Sequence, residues 1–566
     1  MKTRLAILLV LVLAACSGGV EPEGGATGPT ASLDSTEAPA AGDGSTTATS
    51  EEGDMTCWSS PAQGAGGSIS FADETEEYGL VSPLVGMHGH AAVWADFDQD
   101  NRLDLFVGTF AHRDAEHYQF RGAQGPSPDR LVRSGDSGFV VDQALPDMHT
   151  RTSGGAAGDF DGDGDLDLVV SRNYDDDRPD APATQVLRND GGSLVPIEGT
   201  GLPVDFGGRS VGVLDYDGDG LLDLYIAEDR WSGGQSALFR NVGGLQFEDV
   251  TQQVGLALDA HGLGVAVADL TGNGYQDIFV AGSNRLFVAL GDGTFREADG
   301  SVFGWQFFDD EDDVAGVSMA DVNRDGMLDM VVGQHFNSTV DDGQQVPVRL
   351  YLNLGTDEAG MPMFEDVTEA AGLVGLPTKA PHVELNDFDN DGWPDLLTTA
   401  SAADGSRPAV FRHQGLVEGI PTFAAPDGLG SLQYWVAGPS ADVDADGRLD
   451  VFLLEWEPAL PSLLMINESP AGRWLQVSVG PDLMHGIGWR VEVFTAGGIG
   501  DPGSLIGVRE ITVTQGYSAG VAPVAHFGLG DVQAVDLLLV PPNGGTPTEL
   551  TGVDADQHIR FPDGCG

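Results

Sequence analysis

Lysine is nearly missing from this chain: of 566 residues only Lys2 and Lys379 are lysines. Arginine does not make up the deficit. Lys and Arg together number 26 against 88 Asp and Glu, a formal charge of −62. Such acidity argues against binding to nucleic acid or anionic lipid through a basic face. Cysteine is also scarce, with three residues, Cys16, Cys57 and Cys565, so a dense disulfide scaffold is excluded. Beyond the first residues no apolar run is long enough to span a membrane as a helix. The sequence has no Gly-x-Ser-x-Gly elbow, no phosphate loop and no dinucleotide fingerprint.

What the chain has instead is aspartate in a fixed pattern. Seven times it runs Asp, any, Asp, any, Asp, Gly, two more, Asp, then an apolar run. The fullest copy is Asp159-Phe-Asp161-Gly-Asp163-Gly164-Asp-Leu-Asp167, followed by Leu168-Val-Val. The copies begin at Asp96, Asp159, Asp215, Asp269, Asp321, Asp387 and Asp442, 52 to 66 residues apart. Carboxylates at positions 1, 3 and 5 converge on a tight turn. Glycine at 6 permits positive φ, the carbonyl at 7 can coordinate, and Asp at 9 closes the shell. An all-oxygen cage of about six or seven ligands suits Ca²⁺ better than Mg²⁺ or Zn²⁺.

The expected ligands are Asp96, Asp98, Asp100 and Asp104; Asp159, Asp161, Asp163 and Asp167; Asp215, Asp217, Asp219 and Asp223; Asp269, Asn273 and Asp277; Asp321, Asn323, Asp325 and Asp329; Asp387, Asp389, Asp391 and Asp395; and Asp442, Asp444, Asp446 and Asp450. Up to seven Ca²⁺ are expected, and even these would neutralise only part of the acidity. Thr271 and Asn273 leave the fourth loop two charges short, so it should bind more weakly. Asn101 fills the glycine slot of the first loop, a residue that tolerates φ > 0 better than most. An EF-hand would need an acid at position 12, where the seven loops carry Val107, Val170, Ile226, Val280, Val332, Thr398 and Leu453.

The fourth repeat shows the unit: strands at 264–269, 277–281, 285–290 and 294–298, with Gly-rich turns between. Four short strands per repeat describe a propeller blade. Phe247-Glu-Asp-Val-Thr251 and Phe364-Glu-Asp-Val-Thr368 mark the fourth strand of two blades, and Phe71-Ala-Asp-Glu-Thr75 precedes the first loop. No such strand follows the seventh loop, so the segment around 68–73 is expected to complete the last blade and close the ring.

These repeats resemble the FG-GAP or VCBS family, the Ca²⁺-loop propellers of integrin α-chains and many bacterial exoproteins. The resemblance implies an all-β fold, a seven-bladed β-propeller over 67–468 with Ca²⁺ loops on one face. The remainder, 469–566, carries Trp474-Leu-Gln-Val477, Gly486-Ile-Gly-Trp-Arg490, Gly516-Tyr517 and His526-Phe-Gly-Leu-Gly530. It is similar to the ASPIC/UnbV domain of cartilage-acidic-protein-like chains, though Val540-Pro-Pro-Asn-Gly544 and Gly488-Trp489 depart from that pattern. A small β-rich domain is expected there.

At the start, Lys2 and Arg4 precede an apolar run and Leu13-Ala14-Ala15-Cys16. This resembles a bacterial lipoprotein signal and implies cleavage after residue 15 and lipid on Cys16. Export and a lipid anchor in the cell envelope follow, at the outer membrane or cell surface. Residues 16–66 are Gly-, Ser-, Thr-, Pro- and Glu-rich and are expected to form an unfolded acidic tether. Cys57 and Cys565, at the two ends of the folded part, are candidates to pair.

A ligand face is expected opposite the metal loops. Eight residues before each loop lie His88, Arg151, Gly207, His261, Asp313, Lys379 and Tyr434. Of these His88, Arg151, His261, Lys379 and Tyr434, with Trp435, are the candidate ligand-binding residues. Together they could grip a sugar or a peptide carboxylate. His88-Gly-His90 lacks a third metal ligand fixed by spacing. The sequence therefore points to a surface-anchored Ca²⁺-binding propeller that binds a protein or glycan. The alternative is a polysaccharide-active enzyme of lyase or dehydratase type.

Overall fold

A computed structural model describes residues 46–48, 55–62, 68–111, 115–120, 122–173, 183–203, 206–229, 235–304, 313–336, 343–402, 408–426, 432–457 and 460–564. The leader, Cys16, most of the tether and Cys565 lie outside the described residues.

The chain is all-β. Each acidic loop joins the first two of four antiparallel strands, and the first and sixth sheets carry one further short strand each. In the fourth sheet the strands are Gly262–Ala268, Asp277–Gly282, Arg285–Ala289 and Phe295–Glu297. The seventh begins with Ser440–Ala441, Asp450–Leu453 and Leu463–Asn467. Its fourth strand is Phe71–Asp73, with Phe71 opposite Asn467 and Asp73 opposite Met465. The start of the repeat region thus completes its last sheet. The first and seventh sheets also share one core: Trp94, Leu105 and Val107 pack with Phe452, Leu454 and Leu464.

First strands of successive sheets lie against one another, which explains their small residues. A Cβ on Gly154 would collide with the Arg209 carbonyl, and one on Gly264 with that of Ala315. Further out, an asparagine in the third strand clasps neighbouring sheets. Asn241 Nδ2 donates to Phe160 O of the second loop at 2.7 Å and to Leu222 O of its own loop at 3.1 Å. Asn189, Asn353 and Asn467 do the same, and His413 Nε2 reaches Val322 O at 3.1 Å. Removing this clasp leaves two buried carbonyls unpaired. Asn241→Ala should therefore cost about 1–3 kcal/mol, read as a shift of the urea midpoint at constant slope.

The tail folds as two packed sheets. One contains Arg473–Val479, Ala525–Gly530 and Gln557–Phe561; the other contains Arg490–Thr495, Leu505–Glu510, Ala534–Val540 and Thr548–Asp554. Val477, Phe527 and Ile559 of the first meet Val491, Leu537 and Leu539 of the second in one core. The reading of 16–66 as unfolded throughout needs correction. Thr56–Ser59 pairs antiparallel with Gln557–Phe561, and Thr46–Ala48 lies parallel to Thr548–Asp554. Short polar segments that cannot fold alone gain a ladder partner at the edges of the tail sheets. Cys57 sits in the first of these strands and is disulfide-bonded.

Candidate metal centres and the opposite mouth

Each loop is built by its own aspartates. Asp159, at position 1, accepts from the backbone N–H of Gly162, Asp163 and Gly164 at 2.8, 3.2 and 3.0 Å. Asp163, at position 5, accepts from Asp165 N at 3.0 Å. Asp167, at position 9, straps the loop to its sheet, accepting from Phe160 N at 3.2 Å and Asn189 N at 2.7 Å. Asn101 adopts φ 64° in the glycine slot of the first loop, where Gly164 of the second has 95°.

In five loops the carboxylates at positions 1, 3 and 9 bring oxygens within 4.8 Å of one another: Asp96, Asp98 and Asp104; Asp159, Asp161 and Asp167; Asp215, Asp217 and Asp223; Asp387, Asp389 and Asp395; Asp442, Asp444 and Asp450. Position 5, expected as a ligand, is not part of these groups. The fourth and fifth loops form no such group among the described residues. Asn273 Nδ2 is spent on Ala289 O at 2.9 Å, and Asn323 Nδ2 on Asp325 at 2.9 Å.

The donor set fits a hard divalent cation. Asp161 Oδ1, Asp217 Oδ1 and Asp389 Oδ1, all at position 3, are buried oxygens without a hydrogen-bond partner. Neighbouring arginines leave these atoms open: Arg412 Nε binds Asp389 Oδ2 at 2.5 Å, and Arg240 Nε binds Asp217 Oδ2 at 2.7 Å. Burial, with neighbouring carboxylates, pushes Asp223 and Asp442 up to about 8 and Asp387 well above the usual range. Desolvated carboxylates held this close stay ionised only with a cation among them.

The tail closes over this loop face. Gln476 Nε2 donates to Asp442 Oδ2 at 2.9 Å, and Asn543 Nδ2 to Asp215 Oδ2 at 3.2 Å. Glu510 Oε2 accepts from Asp269 N at 2.8 Å, and His526 Nε2 meets Asn390 Oδ1 at 2.8 Å. A loop of the tail reaches further. Gly516 bridges Val317, and Ala519–Gly520 pairs parallel with Ala92–Val93 of the first sheet. Between them Tyr517 is 2% exposed, its hydroxyl 3.3 Å from His90 Nε2 and its N–H 3.1 Å from His382 Nδ1.

At the other end of the first strands, part of the expected ligand face assembles. His88 stacks on Trp456 at 4.2 Å, Arg151 lies 5.3 Å over Phe110, and Lys379 Nζ lies 5.2 Å from the Tyr434 ring. Burial, then Lys379, lowers His335 to about 3, so it is neutral here. His261 is half-buried, with Nδ1 3.3 Å from Asp259 O. Trp435 is placed elsewhere. It is fully buried among Phe388, Val451 and Leu463, its indole N–H donating to Pro461 O at 2.9 Å. Its apolar ring packs between sheets and does not face a ligand.

The pattern of the FG-GAP-like repeat matches residues 159–226, 215–280, 271–332 and 387–453, and that of ASPIC and UnbV matches 483–564. This is an FG-GAP-repeat chain with an ASPIC/UnbV tail. Human cartilage acidic protein 1 is 31% identical over 365 residues, 60% of this chain and 51% of the relative. Integrin alpha-4 of Xenopus laevis is 32% identical over 144 residues, 24% of this chain and 14% of the relative. The chain thus spans about half the length of the cartilage acidic proteins it matches. Among solved structures, the exotype rhamnogalacturonan lyase YesX aligns at 15% identity with TM-score 0.37, over 68% of this chain and 72% of that one. A likeness that low carries no argument about function. The first FG-GAP loop, from Asp96, lies outside the matched stretches, yet its three carboxylates gather as the others do. The contacts of the ASPIC/UnbV tail with the loops, through Gln476, Glu510, His526 and Asn543, have no sequence signature. The clasp does have one: Asn recurs in the third strand, just ahead of a turn containing glycine, at 189 and 241.

Proposed function

We propose that the seven sheets form a closed seven-bladed propeller, loaded with Ca²⁺ in its loops, that binds a protein or glycan outside the cell. The observation that carries the metal reading is the row of buried, unpartnered position-3 oxygens, each beside two further carboxylates. Calcium then has a structural role, holding charges that would otherwise repel.

One feature supports a binding role for the opposite mouth. Arg151, Lys379 and Tyr434 are gathered there with His88 and Trp456. The two sheets of the tail contact the metal face, and the loop carrying Tyr517 reaches toward the mouth as far as His90, which meets Trp456 edge-on. The proposal includes export and a lipid anchor at Cys16, with residues 17–45 as spacer. A bridge between Cys57 and Cys565 belongs to it as well: the Cys57 strand is paired with Gln557–Phe561, close to Cys565 in sequence.

A glycan and protein array probed with and without Ca²⁺ tests the reading. For any partner found, a combined Arg151, Lys379 and Tyr434 alanine variant should bind at least tenfold more weakly, since aromatic and arginine anchors often cost about 2 kcal/mol or more each. Metal binding should be unchanged, because the loops lie at the far ends of the strands. Full affinity in a folded triple variant would move the site away from the mouth.

A further inference from the structure

Between the tail and the loops of the first, second and seventh sheets lies a cavity of about 330 Å³. Its walls include Trp58, Gln99, Asp442, Ser478, His485 and His558. The volume is at the lower end of small-molecule sites, which run from roughly 300 Å³ upward.

Three ring nitrogens on these walls are buried without a hydrogen-bond partner: Trp58 Nε1, His485 Nε2 and His558 Nδ1. Buried polar atoms are almost always paired, so three on one cavity mark something the cavity is built to receive. The His558 side is firmly held. Its residue is 4% exposed, its Nε2 lies 2.8 Å from Ser478 Oγ, and its ring meets Trp58 edge-on at 4.0 Å. His485 is held by unusual backbone. Met484 and His485 have φ 56° and 52°, in the left-handed region that non-glycine residues avoid. Such conformations cluster where a side chain must be aimed.

The nitrogens differ in what they offer. The Trp58 indole is a donor only. His485 is kept neutral by burial, and a neutral imidazole nitrogen donates or accepts according to its tautomer. An occupant that serves both must accept at the indole and take either role at the imidazole, which a molecule bearing several hydroxyls can do. Net charge is not selected, because Arg560 lines the cavity together with Asp96 and Asp442. A histidine-held metal is not selected either. Among the described residues the groups close enough to hold a metal contain aspartates only.

We propose that this cavity binds one neutral sugar residue, whose ring hydroxyls accept from Trp58 Nε1–H and hydrogen-bond with His485 Nε2. The site is separate from the mouth and on the opposite side of the sheets. It does not depend on what the mouth binds.

The test is calorimetric titration of the full chain, in Ca²⁺, with glucose, galactose, mannose, N-acetylglucosamine, glucuronate and galacturonate. At least one neutral sugar should bind saturably. Trp58→Phe keeps a ring and deletes the N–H; His485→Asn suits the left-handed backbone and deletes the ring nitrogen. Each should weaken binding tenfold or more while the melting temperature stays near wild type. Should a variant unfold, the Trp58 indole N–H resonance of the wild-type chain, labelled with ¹⁵N-tryptophan, must shift on addition of the sugar. No saturable binding by any neutral sugar overturns the proposal. So does binding that both folded variants retain, binding of the uronates alone, or binding lost in the mouth variant instead.

Discussion

Stripping calcium from the full chain with excess EGTA should lower its melting temperature by more than about 10 °C. Five groups of three carboxylates lie with oxygens within 4.8 Å, and burial already disfavours the charged forms of Asp223 and Asp442 among them. A ligand that binds only the folded state at a hundredfold excess over Kd stabilises it by about 2.7 kcal/mol per site. In a domain of this size each kcal/mol moves the midpoint by about 2 °C or somewhat more. Several independent sites together account for the expected shift. Equal ionic strength without calcium should not restore it. Asp161→Ala, which removes a buried, unpartnered carboxylate oxygen, should cost more than Thr271→Ala in the fourth loop, where no three-carboxylate group forms. A melting curve indifferent to chelator would show that the loops fold without metal.

Tyr517→Ala is the second large effect, with an expected loss of about 3–5 kcal/mol, the range for deleting a buried aromatic ring. The ring comes from the tail but sits among the first strands of the sheets, beside His90 and His382. Its neighbours Gly516 and Ala519–Gly520 pair with strands of the fifth and first sheets. Truncation therefore leaves a void where two parts of the chain are joined. Urea unfolding should show the loss, and limited proteolysis should release the tail earlier than in wild type. Tyr517→Phe, which loses one hydroxyl contact, should cost only about 1 kcal/mol. Equal stability of Tyr517→Ala and wild type would mean that the inserted loop does not hold the tail in place.

The repeat was legible because its chemistry is local. An Asp-x-Asp-x-Asp-Gly turn dictates its own backbone, and the apolar run after it must be a strand. The pairing of Phe71–Asp73 was legible too, since Phe71-Ala-Asp copies Phe247-Glu-Asp and a seventh copy was missing after Leu463. Roles within the loop were less so. The pattern does not distinguish Asp163, which caps a backbone N–H, from Asp161, whose buried oxygen stays open. Contacts at long range left no trace. Thr56 faces Ile559 across 503 residues, and composition alone assigns that segment to a tether. Trp435 sits one residue from Tyr434, and alternation along the chain turns one ring inward while its neighbour lies beside Lys379. The cavity near His485 joins Trp58, the second loop and the tail, so no stretch of sequence contains it.

The pairing of Phe71 with Asn467 sets an order of events during synthesis. The strand 71–73 leaves the ribosome early and has no partner until nearly four hundred further residues follow. Sheets one to six can form one after another, the four antiparallel strands of each coming from contiguous chain. The seventh cannot, and its closure carries the entropy cost of the longest loop among the repeats. Until then the inward faces of Trp94 and Phe452 lack each other as cover. The slow, aggregation-exposed species on the folding path should accordingly be a nascent chain with six sheets formed, waiting for its last strand.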